Sequence, residues 1–101
     1  MAQSHTVDND GRTNMIGLVT DIARALVDLP ENVSVETFDE EESTVIRLRV
    51  APSDIGKVIG KQGRTARSLR TILSAASMKL KHRFALDIVE DDSSQAGPIQ
   101  T

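Results

Sequence analysis

The chain contains no cysteine, no tryptophan and no tyrosine, and its only phenylalanines are Phe38 and Phe84. Without cysteine there can be no disulfide, no thiolate zinc site and no thiol nucleophile. Two phenylalanines cannot supply the ring platforms on which bases stack, or an aromatic cage for a methylated ammonium. Long apolar runs are also missing. No uncharged stretch approaches the ~20 residues of a membrane-spanning helix, and the first ten residues are neither basic nor apolar enough for a secretory leader. With 101 residues, 39% of them hydrophobic, the chain has material for one core and no more. A domain of that size buries roughly 60–65% of its unfolded surface. These exclusions predict a small, soluble, intracellular single-domain protein without membrane insertion.

The formal charge of -3 hides a strong asymmetry. Residues 1–42 carry ten acids against Arg12 and Arg24. Residues 43–86 carry ten lysines and arginines against Asp54 alone, and residues 87–101 carry four acids and no base. A field of one sign over half a small domain attracts polyanions whatever the net charge of the whole.

Both ends are polar and without period, and they read as disordered tails (1–13 and 91–101) around a folded domain over 14–90. Inside it, Met15, Leu18, Val19, Ile22, Leu26 and Leu29 recur at helical spacing, with Thr13 or Asn14 as cap and Pro30 as stop. Val33 and Val35 alternate with polar residues in a short strand, and Asp39–Glu42 reads as the following turn. In the next strand Ile46, Leu48 and Val50 share one face, and Val45, Arg47 and Arg49 the other. A last strand alternates the same way, with Phe84, Leu86 and Ile88 against Ala85, Asp87 and Val89. Between these strands lie two helices. The first opens at Pro52-Ser53-Asp54 with Ser53 as N-cap, and the second runs from about Arg64 to Lys79. At roughly 100° per residue, Ala66, Leu69, Ile72, Leu73, Ala76 and Leu80 form one face of it, opposed by a ridge of Arg64, Arg67 and Arg70.

The order helix, strand, strand, helix, helix, strand constrains topology. A short turn makes the first two strands antiparallel, and a helical crossover of over thirty residues makes the second and third parallel. The expected fold is α+β, a three-stranded mixed sheet with three helices on one face and a wet opposite face carrying Glu36, Arg47, Arg49 and Asp87.

The most informative stretch is Gly56-Lys57-Val58-Ile59-Gly60-Lys61-Gln62-Gly63. It lacks the glycine-lysine-hydroxyl ending of a P-loop, and Val58 stands where a dinucleotide fingerprint needs glycine. Instead, Gly60 and Gly63 bracket two polar residues between two helices. Gly60 can end the first helix in a left-handed conformation, and Gly63 lets the chain turn closely into the second. Backbone amides exposed at a helix start suit a phosphate, and Lys57, Lys61 and Arg64 add positive charge there.

Strand, helix, Gly-x-x-Gly, helix, strand resembles the KH domain, whose GxxG loop clamps about four nucleotides. The preceding helix and strand make it similar to the type II form. Residues 51–66 (APSDIGKVIGKQGRTA), with Leu26-Val27-Asp28-Leu29-Pro30-Glu31 upstream, resemble the small bacterial single-KH RNA-binding proteins of the KhpA (YlqC) family. The resemblance spans roughly Asn14 to Glu90, and the polar tails are departures that leave it intact. It implies a clamp of Gly60, Lys61, Gln62 and Gly63, with Ile55, Val58 and Ile59 along an apolar groove. It also implies cytoplasmic single-stranded RNA binding and a partner KH protein (KhpB, or Jag). A role as RNA chaperone or post-transcriptional regulator, tied to cell-envelope growth and cell length, belongs to the same implication.

Residue by residue, Lys57, Lys61, Gln62, Arg64 and Arg67 are candidate RNA contacts, while Arg70 lies further off. Arg47 and Arg49 point from the far side of the sheet and read as solvated or as a partner surface. His82 reads as a surface turn histidine, and Asp21 and Asp28 as solvated charges. No base is placed to activate Ser53, no ligand set suggests a metal or other cofactor, and no residue group supports catalysis. One such groove without aromatics binds weakly, so function needs a second copy or a heterologous KH partner. The competing reading is a protein-interaction module that keeps the fold with little RNA binding.

Overall fold

The computed structural model describes the backbone of residues 2–91 and the side chains of residues 11–91. Its elements are α1 (Ala2–Leu26), β1 (Ser34–Glu40), β2 (Ser43–Val50), α2 (Ile55–Ile59), α3 (Arg64–Leu80) and β3 (Arg83–Glu90), with short 3₁₀ turns at Pro30–Asn32, Pro52–Asp54 and Lys61–Gly63. The sheet order is β1-β2-β3. β2 pairs antiparallel with β1 and parallel with β3. This is the mixed sheet that the short turn and the long crossover require.

β2 is the centre of the core. Its alternation is complete: Thr44, Ile46, Leu48 and Val50 are buried on the helix side, and Val45, Arg47 and Arg49 are half-buried on the other. Phe84 and Leu86 of β3, Leu69 and Leu73 of α3, Val58 of α2, and Val19, Ala23 and Val27 from the first helical segment close over them. Burying a side chain such as Ile46 or Leu48 contributes about 2–3 kcal/mol. On the open face the charges pair: Arg47 with Asp87 at 3.1 Å, and Arg49 with Glu36 at 3.0 Å. Arg47 also lies over the Phe38 ring at 4.7 Å.

Several local expectations are corrected. α1 starts at Ala2, so neither Thr13 nor Asn14 caps it, and residues assigned to the leading tail are helical. The apolar period begins at Met15, but a helix nucleated by packing propagates through upstream residues that contain no proline. Arg12 belongs to the folded unit, since its guanidinium grips Asp39 at 2.7 and 3.1 Å and donates to Thr37 Oγ1 at 3.0 Å. Of the expected tail over 91–101, Asp91 donates its N–H to Val50 O at 2.6 Å, and residues 92–101 lie outside the described residues. The buried line of α1 is also rotated. Val19 and Ala23 sit at its centre, whereas Leu18, Leu26 and Leu29 remain more than one-third exposed. Alanine at position 23 carries little hydrophobic signal, which is why the leucines looked like the stripe.

β1 runs on to Glu40, so Asp39 is a strand residue and the turn is only Glu41–Glu42. Asp39 Oδ1 accepts from the buried Thr44 hydroxyl at 2.7 Å, and Thr44 Oγ1 lies 2.7 Å from His82 Nε2. A hydroxyl has one proton. With that proton on Asp39, His82 must present Nε2–H to Thr44. His82 is therefore half-buried and hydrogen-bonded, with its ring 5.1 Å from Phe84, rather than a free surface residue. Arg12 and Thr44 together hold the Asp39 carboxyl below the ordinary carboxylate range, and Asp39 raises the Arg12 guanidinium in turn.

Candidate nucleic-acid interface

The loop between α2 and α3 is built from three residues with positive φ. Gly60 closes α2 at φ 83°, ψ 166°, and its N–H donates to Gly56 O at 2.8 Å. The φ is positive as expected, but the ψ lies in mirror-image extended space instead of the left-handed helix region, and glycine alone enters that space freely. A Cβ there would also run into the Thr65 side chain and come within 2.8 Å of Thr65 N. Gln62 (φ 57°) and Gly63 (φ 74°, ψ 14°) then take left-handed conformations, and Gly63 N–H donates to Gly60 O at 3.0 Å. A Cβ on Gly63 would meet nothing within 4 Å, so the backbone there is open to approach.

α3 begins at this turn with no side-chain cap and no acid in its first turn. Its N-terminal dipole end is therefore uncompensated by any cap or acid of its own first turn and favours an external anion. Lys61, Gln62 and Arg64 are exposed around it, and Arg64 Nη2 donates to Gln62 Oε1 at 3.3 Å. From Gly63 a groove of about 490 Å³ runs along α3. Ile59 and Ala66 supply its apolar lining, Arg67 and Arg70 its charge, and Thr71 and Ser74 its hydroxyls.

Of the residues expected to act, Gly60, Lys61, Gln62, Gly63, Arg64, Arg67 and Ile59 come together at this loop and groove. Three do not. Val58 is 0% exposed and belongs to the core beneath α2, so it anchors the loop without lining the groove. Ile55 packs half-buried against the same core. Lys57 turns towards the exit of α1, with Nζ at 3.4 Å from Asp28 and 3.7 Å from Asp54.

Asp54 explains where Lys57 goes. Ser53 makes no N-cap. The residue at that position is Asp54, and its carboxylate makes no cap bond either. Buried to 1% exposure, it accepts the backbone N–H groups of Asp28 at 3.2 Å and Leu29 at 3.0 Å. It ties the end of α1 to the start of α2 and draws Lys57 to the same place. The lone acid in the basic segment carried that signal.

Arg70 joins the groove although the sequence places it further off. It lies further from the loop than Arg64 and Arg67, yet it lines the groove and Nη2 donates to the Leu86 carbonyl of β3 at 3.2 Å. On a helical projection Ser74 and Arg70 lie within about 60° of Arg67, so the face was legible once its continuation past Arg67 is followed. Arg47 and Arg49 are on the opposite side of the sheet, as expected. Among the described residues no group of His, Asp or Glu is placed to hold a metal ion, and no helix is long and apolar enough to cross a membrane.

An α-β-β-α-α-β chain with a GxxG turn between two helices and a three-stranded mixed sheet is a type II KH domain. A family model described as the KH domain of KhpA and KhpB matches residues 17–88. The chain is 53% identical over 73 residues to the RNA-binding protein KhpA of Halalkalibacterium halodurans, covering 72% of this chain and 96% of the relative. It is 51% identical over 73 residues to the protein of the same name from Treponema pallidum, covering 72% and 91%. The chain belongs to the KhpA family of small single-KH-domain proteins. Among solved structures it is similar to Era, crystallised with MgGDPNP and nucleotides 1506–1542 of 16S ribosomal RNA. That match has a TM-score of 0.50 and 16% identity, over 75% of this chain and 29% of Era. It speaks to the fold alone.

Proposed function

We propose that this protein is a non-catalytic cytoplasmic module that binds single-stranded RNA at the GxxG loop and the groove beside it. The observation that carries this reading is the uncapped start of α3, which opens with cations and an accessible Gly63 onto a groove lined by Ile59, Ala66 and Arg67. Phosphates approach Gly60–Gly63, where amides, Lys61 and Arg64 receive them, and bases lie on the apolar floor. Contacts of this kind position a strand and specify little.

One groove without aromatic rings binds weakly, so the working form contains a second KH domain, either another copy of this chain or KhpB. Leu18, Leu26, Ile72 and Met78 support a protein contact of this kind, since they are large apolar residues left exposed on α1 and α3, Met78 at 81%. In this role the protein acts as an RNA chaperone or post-transcriptional regulator connected with cell-envelope growth. The test is an amide chemical-shift titration with an unstructured RNA octamer. Shifts should concentrate at residues 59–67 and 70–74 and spare the open sheet face at Arg47 and Arg49. Shifts confined to α1 and the sheet face, or none at all, would move the assignment to a protein-interaction module.

A further inference from the structure

We infer that Arg70 reads the base seated in the groove, favouring bases that present two adjacent acceptors, guanine by O6 and N7 or cytosine by O2 and N3, over adenine and uracil. The inference rests on the RNA-binding reading above and adds a selectivity to it.

Arg67 and Arg70 share the groove but are held differently. Arg70 is tethered, with Nη2 donating to the Leu86 carbonyl at 3.2 Å, so its guanidinium bridges α3 and β3. A tethered, planar guanidinium is a fixed fork. One of its N–H groups is spent on Leu86, and the remainder are donors in known directions with no acceptor among them. Among the described residues, the other polar side chains lining the groove are Arg67 and the hydroxyls of Thr71 and Ser74, and the Thr71 hydroxyl spends its proton on Arg67 O at 3.0 Å. Among the described residues no carboxylate or carboxamide lines it.

The donor excess decides which base edge fits. Guanine offers O6 beside N7, and cytosine offers O2 beside N3, so each can take two parallel N–H groups from one fork. Adenine sets an amino donor beside N7, and uracil sets N3–H between its two carbonyls. Each then turns a donor towards a donor. The tether thus orients the fork. Arg70 is also poorly placed as a phosphate ligand, since it lies seven residues, about 10 Å, along α3 from Gly63.

The experiment is fluorescence-anisotropy titration of the full chain with an all-uridine octamer and with uridine octamers carrying one central guanine, cytosine, adenine or 7-deazaguanine. The guanine or cytosine octamer, or both, should bind about 10-fold more tightly than the adenine and all-uridine octamers. Replacing N7 by carbon should erase a guanine advantage while leaving a cytosine advantage untouched, which separates the two sources. Arg70→Ala should level the series. Arg70→Lys, which keeps the charge and can still reach Leu86 O but lacks the fork, should level it too. Equal binding of all octamers by the wild-type chain overturns the inference and leaves the RNA-binding reading standing. A uniform loss across the series in Arg70→Lys assigns Arg70 to phosphate or to packing and also overturns it. Failure of the wild-type chain to bind any octamer removes both.

Discussion

The buried carboxylate of Asp54 accepts the backbone N–H of Leu29 at 3.0 Å. Through this bond, and its companion from Asp28 at 3.2 Å, the chain leaving α1 is fastened to the turn that opens α2. Asp54→Ala would leave two backbone donors without their acceptor and strand Lys57 beside Asp28. Unfolding in urea should show a loss of about 2–3 kcal/mol. A loss under about 0.5 kcal/mol would mean that water replaces the carboxylate and that the tie is incidental.

The two loop glycines should differ in cost. Gly60→Ala meets both a forbidden φ and the Thr65 contact, whereas Gly63→Ala meets only a left-handed φ in open space. We expect about 1–2 kcal/mol for Gly63→Ala and clearly more for Gly60→Ala, measured as thermal midpoints of the two variants. Equal midpoints would contradict the backbone described for the loop.

Asp39 gives the fold a defined sensitivity to acid. Its folded carboxyl is held low by Arg12 and then by Thr44, so its stabilising contribution is complete above the unfolded value, roughly pH 4. It is lost as pH falls through the lowered folded value. Asp39 is half exposed, so the effect is about 1 kcal/mol or less. Asp39→Asn should flatten stability against pH below roughly pH 4 relative to wild type, and Arg12→Ala should do the same. Parallel curves for wild type and both variants would rule out this pairing as a stabilising contact.

The fold was legible because its signals are periodic and mutually consistent. The alternation of residues 44–50 and the length of the helical crossover fix β2 and its two partners. The GxxG turn was legible because only glycine serves at Gly60. What escaped was long-range polar pairing. Nothing in local spacing says that Asp54 reaches back to Leu29, that Arg12 reaches forward to Asp39, or that His82 meets Thr44, since each pair is more than 20 residues apart. For the same reason local spacing does not show that Lys57 pairs with Asp28 and Asp54, or that Arg70 donates to a backbone carbonyl on another element.

The pairing of Lys57 with Asp28 and Asp54 bears on the salt dependence of binding. With Lys61, Arg64 and Arg67 near the backbone, two to three phosphates should be neutralised, giving a slope of log K against log salt of about -1.5 to -2 for a single strand. Arg64→Ala should reduce its magnitude by about 0.7, while Arg49→Ala should leave it unchanged. If Arg49→Ala matters as much as Arg64→Ala, the RNA lies on the open sheet face.

The most direct measurement is a titration of unstructured RNA with the Lys61→Asp, Gln62→Asp double variant, paired with circular dichroism. Both side chains project from an exposed turn, so the spectrum and thermal midpoint should match wild type. Two carboxylates at the phosphate position should abolish binding, since like-charge juxtaposition costs several kcal/mol. A folded double variant that binds RNA as tightly as wild type would contradict the account.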